Sequence, residues 1–205
     1  WLAVESGVTE NLNAVWGVSY SETEKIFKSY AVGNAGIIIV YDGTDCTVMS
    51  SGTTKNLWGI WGSADDDIFA VGTSGTIIHY NGSAWSAMDS GTTKSLMAVW
   101  GTASNNVYAA GFNGTILHYN GSAWSPMDSG VAGTLNAVSG ISANSIFAAG
   151  DGVILKYDAG AWIKVDNIPS SIFWQAVWGG QSGVFYFTGI KGEILSITTQ
   201  TSSAT

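Results

Sequence analysis

A unit of about 40 residues is repeated through the chain, and this repetition limits the fold more than any other feature. Leu57 to Lys94 reads LWGIWGSADDDIFAVGTSGTIIHYNGSAWSAMDSGTTK, and Leu96 to Gly130 is nearly a copy of it. A fixed period of this size is the signature of stacked supersecondary units. Aligning the Trp of the Ala-Val-Trp-Gly segment puts Trp16, Trp61, Trp100 and Trp178 at one repeat position, with Ser139 replacing it in the fourth copy. The spacings are 45, 39, 39 and 39 residues. Five copies therefore begin at Leu12, Leu57, Leu96, Leu135 and Trp174.

Within the second copy, four short runs are predicted as strands: Leu57–Trp61, Asp67–Val71, Thr76–Tyr80 and Trp85–Met88. They are rich in β-branched and aromatic residues, and Gly, Asn and Ser punctuate them where tight turns are needed. Four antiparallel strands per unit predict an all-β fold, a five-bladed β-propeller. Predicted blades cover about 11–55, 56–94, 95–133, 134–171, and 172–198 plus 1–10. Together they form one domain over 1–198, followed by a Ser/Thr-rich tail or linker at 199–205. The ends are out of phase. The fifth copy reaches its third strand and stops, whereas Trp1–Glu10 matches Trp85–Lys94, a fourth strand with its connector. The N-terminal strand is therefore expected to complete the last blade and close a ring, removing open sheet edges. The first copy carries six extra residues between Trp16 and Ala31, including Glu22, Glu24, Lys25 and Lys28, expected to protrude into water.

Composition narrows the function. Of 205 residues, 46% are hydrophobic and only 11% charged; all seven basic residues are Lys, and net charge is −8. Clustered Lys and Arg are needed to neutralise phosphates, so no nucleic-acid partner is expected. No apolar run is long enough for a membrane-spanning helix, and no membrane insertion is expected. Low charge with abundant Ser, Thr, Asn, Trp and Tyr suggests a secreted or cell-surface bacterial protein. A single cysteine, Cys46, sits where Trp85, Trp124 and Trp162 stand in other copies. That position predicts a buried structural thiol.

Few residues suggest chemistry. The strand-four tryptophans Trp85 and Trp124 are candidate ligand-binding faces, expected near an exposed edge, while the strand-one set is expected to fill wedges between blades. His79 and His118 share one repeat position beside Tyr80 and Tyr119, and these four complete the candidate binding set. Two His without Cys or Glu companions do not make a metal site. Asp65-Asp66-Asp67 reads as a solvated turn; Ca²⁺ binding there is the alternative. The Asn-Gly-Ser sequons fall where hairpins need Asn-Gly. No cofactor and no catalytic residue are expected. The inner first-strand positions Asn13, Trp58, Met97, Asn136 and Gln175 carry no carboxylate of the kind a glycosidase needs.

The segments AVWG, DIFAVG, GTIIHYNG and AW resemble the repeats of bacterial secreted or surface β-propeller proteins. They are also similar to photosystem II assembly factor-like propellers. That resemblance implies larger rings with an Arg patch, and this chain has no Arg. In design the repeats resemble tachylectin-type five-bladed lectins, which implies amino-sugar binding between blades. A non-catalytic binding module follows, with a glycan ligand favoured. The alternative is a protein ligand, or a structural role within a longer polypeptide, and a hydrolase comes third.

Overall fold

The structure is a computed structural model and describes residues 4–17, 28–180 and 182–199. It divides into two compact units, Trp1–Leu96 and Met97–Thr205.

The first unit holds two four-stranded antiparallel sheets. One comprises β1 (Leu12–Gly17), β2 (Ser29–Gly33), β3 (Ile38–Tyr41) and β4 (Cys46–Met49). The other comprises β5 (Leu57–Ala64), β6 (Asp67–Gly72), β7 (Ile77–Tyr80) and β8 (Trp85–Met88). The second unit holds three sheets. The third sheet has β9 (Leu96–Ala103), β10 (Asn106–Gly111), β11 (Ile116–Tyr119) and β12 (Trp124–Met127). The fourth has β13 (Leu135–Ser142), β14 (Ser145–Gly150), β15 (Val153–Asp158) and β16 (Ala161–Lys164). The fifth has β17 (Trp174–Gly179), β18 (Val184–Gly189) and β19 (Ile194–Thr198). Every sheet runs in sequence order, as hairpin-linked strands must.

The strand runs of the second sheet match the sequence reading to within one residue, apart from a longer extension of β5. β5 continues through Ser63 to Ala64, because a bulge after Gly62 lets Ala64 pair with Asp67 and the turn shrinks to Asp65-Asp66. The second strand of the second, third and fourth sheets is buried on both faces: in β6, Ile68, Phe69, Ala70 and Val71 are all within 1% of full burial. A strand covered on both sides reads as a continuous apolar run instead of an alternating one. Between β6 and β7 the chain turns through Ser74 (φ 58°) and Gly75 (φ 72°). A Cβ on Gly75 would fall on the Thr92 carbonyl oxygen, so only glycine fits.

Sheets stack through the repeat's Trp-Gly pair. In the first unit the Trp16 ring lies over Gly62, where an added Cβ would meet it at 2.7 Å. In the second unit Trp100 covers Gly140 in the same way. Where Ser139 replaces Trp, Ile141 takes over and packs on Gly179. Side-chain amides clamp the same joints. Asn13 Nδ2 donates to the Leu57 carbonyl (2.8 Å), and Asn136 Nδ2 donates to the Trp174 carbonyl (2.9 Å).

One expectation changes, and two fall partly on residues that are not described. The fifth sheet has three strands among the described residues. Residues 4–10 form no strand, and Trp1–Ala3 lie outside the described residues. Instead Val4 and Ser6 line a cavity of about 220 Å³ with Leu12, Ala31, Ile39 and Cys46 of the first sheet. Cys46 itself is half-buried, not fully enclosed, because it borders this cavity. Glu22, Glu24 and Lys25 of the first-copy insertion lie outside the described residues; Lys28 pairs with Asp65 at 3.1 Å.

Candidate functional site

The histidines expected to face a ligand are bound within their own sheets. In the second sheet, β7 carries His79 directly opposite Phe69 of β6, with ring centroids 4.5 Å apart. Its Nε2–H donates to Asp67 Oδ1 (2.6 Å), and Ser63 donates its hydroxyl to the other carboxylate oxygen of Asp67. The third sheet repeats this chain with different atoms. His118 Nε2–H donates to Asn106 Oδ1 (2.7 Å), and Asn106 Nδ2 donates to Thr102 Oγ1 (2.7 Å). Burial holds the His118 imidazole below its ordinary pKa. Sequence alignment alone paired the two His but missed Asp67 and Asn106, which meet them only through strand pairing.

The Tyr–Trp candidates serve turns and core. Trp85 and Trp124 are each 8% exposed, so the edge exposure expected for them is not observed. Tyr80 stacks beside Trp85 (5.4 Å) and donates its hydroxyl to the Gly82 carbonyl (2.9 Å), fastening the Asn-Gly turn. Tyr119 lies beside Trp124 in the same way (5.3 Å). Trp85 joins the core with Tyr30, Leu57 and Ile60. Tyr30 donates to the Asp65 carbonyl (3.1 Å), and burial, with Tyr80 and Asp65 nearby, pushes its phenol up to about 12. Asp65 is thus engaged by Lys28 and Tyr30, and Asp67 by Ser63 and His79.

The fifth sheet presents a different surface. Trp178 and Tyr186 pair across β17 and β18, with rings stacked at 6.1 Å and 28°. They are 62% and 45% exposed, and Ile194 on the same face is 75% exposed. The opposite face is buried: Phe185 and Phe187 pack against Phe147 at 4.5 and 5.6 Å. Among the described residues β19 pairs only with β18, so its outer edge offers backbone donors and acceptors. Trp178 was grouped by sequence with wedge-filling tryptophans. The signal that separates it is positional: it belongs to the last copy.

The fold is shared with solved β-propellers. At 14% identity and a TM-score of 0.73, the chain is similar to the WD40 β-propeller domain of Doa1, covering 92% of this chain and 65% of that one. It is similar to YCF48 bound to D1 peptide at 14% identity and a TM-score of 0.66, covering 95% of this chain and 70% of that one. A streptogramin B lyase structure matches at 12% identity and a TM-score of 0.70, covering 89% and 71%. The chain thus spans about two thirds of the length of these propellers. No family model and no curated protein matches it.

Proposed function

We propose that the chain is a non-catalytic protein-interaction module whose binding element is the fifth sheet. One observation carries this reading: an exposed, stacked aromatic pair, Trp178 and Tyr186, beside a strand edge without a described partner. An extended polypeptide gains main-chain hydrogen bonds at such an edge and buries alternate side chains on the aromatic face. YCF48 bound to D1 peptide supports the idea that this fold holds peptides. The glycan reading loses its first support, since Trp85 and Trp124 are buried. Low charge favours an extracellular or cell-surface setting.

A synthetic peptide of fourth-strand pattern, Trp-Ser-Ala-Met-Asp-Ser-Gly, tests the reading at low protein concentration. Hydrogen exchange should slow at Ile194–Thr198, with a blue shift in tryptophan emission. Unchanged exchange there, or glycan-array binding lost in W178A, overturns it.

A further inference from the structure

Three Asn-Gly pairs stand in the chain, and the fold treats them in two ways. Asn81-Gly82 lies in the turn between β7 and β8, Asn120-Gly121 in the turn between β11 and β12, and both Asn are exposed. Each turn fixes both letters of its pair. Gly82 (φ 86°) and Gly121 (φ 93°) hold left-handed backbone, and a Cβ there would meet the Cβ of Asp66 at 2.9 Å or that of Asn105 at 2.8 Å. Asn81 Oδ1 accepts the N–H groups of Ser83 and Ala84 (both 3.1 Å), and Asn120 Oδ1 accepts those of Ser122 (2.9 Å) and Ala123 (3.1 Å). The turn therefore demands a side-chain amide followed by the least hindered backbone nitrogen.

That dipeptide can react with itself, which is one reason Asn is thermolabile. The Gly nitrogen attacks the Asn Cγ and forms a C–N bond. The Cγ–Nδ2 bond breaks, the amide group takes the proton of the Gly nitrogen and leaves as ammonia, and a five-membered succinimide remains. Water then opens the ring at either carbonyl, giving Asp or isoaspartate. No oxidant, reductant or enzyme is needed. Two features favour the attack: a Gly nitrogen free of other bonds, and donors where negative charge builds on Oδ1. Among the described residues the N–H groups of Gly82 and Gly121 have no acceptor, and each Oδ1 already has two donors. Asn113-Gly114 differs. Its Gly is buried and donates its N–H to the Gly133 carbonyl (2.7 Å).

We propose that Asn81 and Asn120 are sites of spontaneous deamidation in the folded protein, and that the fold protects Asn113. The first sheet shows what the Asp product looks like. Asp42 stands at this turn position, and its Oδ1 accepts the N–H groups of Asp45 (2.8 Å) and Thr44 (2.9 Å). These bonds hold its carboxyl below the ordinary carboxylate pKa. An Asp formed at 81 or 120 thus keeps the turn and adds one negative charge to the net −8. Isoaspartate instead lengthens the backbone by a methylene beside the Tyr80–Trp85 or Tyr119–Trp124 strand pair.

Peptide mapping by mass spectrometry tests this, on folded protein held at pH 8.5 and on the same protein in concentrated urea. In urea the three pairs lie in nearly identical sequences, Asn-Gly-Ser twice and Asn-Gly-Thr once, and should convert at similar rates. In the folded protein Asn81 and Asn120 should each outrun Asn113 by about tenfold or more, the cost of breaking the Gly114 hydrogen bond. Equal conversion of all three in the folded protein overturns the proposal. So does a folded protein in which Asn81 or Asn120 stays intact while all three convert in urea.

Discussion

One repeat position shows how the same backbone site accepts different chemistry. His79 faces an acidic partner, His118 a neutral amide, and the fourth and fifth copies carry Lys156 and Ser196 there. The amide cannot compensate an imidazolium as a carboxylate can. Burial therefore holds His118 below 6.5, and the unfolded chain takes up that proton first as pH falls. The folded state is favoured fully above about pH 6.5 and loses stability as pH drops from there toward the folded value. Urea unfolding of wild type should show a midpoint that declines between pH 7.5 and 5. H118Q should flatten that decline, and N106D should oppose it by supplying a carboxylate.

At the scale of the element, a sheet's worth depends on what covers it. Trp100 and Trp178 hold one repeat position, yet Trp100 lies over Gly140 and Trp178 is 62% exposed. W100A removes ring packing from a joint and should cost about 2–4 kcal/mol, within the range for large aromatic truncations. W178A removes a solvated ring and should change stability by less than about 0.5 kcal/mol in the monomer. Equilibrium urea denaturation at low protein concentration measures both. Equal losses would mean that the Trp178 face is covered within one chain.

At the scale of the whole molecule, charge is sparse and mostly negative. The net charge is −8, and Lys28–Asp65 is an exposed surface pair worth little. Copies therefore repel one another at low ionic strength. Added salt shortens the reach of that repulsion, to about 10 Å at 0.1 M. The weight-average sedimentation coefficient should therefore rise between 20 and 300 mM NaCl. A falling coefficient would point to an ionic contact instead.

The repeat by itself determined the local architecture. Strand runs, turn residues and sheet boundaries were legible because each is set by residues within one 39-residue unit: alternating or continuous apolar runs, Asn-Gly turns, and glycines where the chain passes close to itself. The Ser6–Val8 turn repeats that of Ser90–Thr92, as the match of their sequences leads one to expect. What the tertiary structure decided was exposure. Identical letters at Trp85, Trp100 and Trp178 end up in a core, across a joint and in water, because burial depends on which sheet lies next door. The His79–Asp67 bond was hidden for the same reason: twelve residues separate its partners, and only strand pairing brings them together. A repeat states what each unit offers its neighbours, and only the assembled sheets decide which offers are taken.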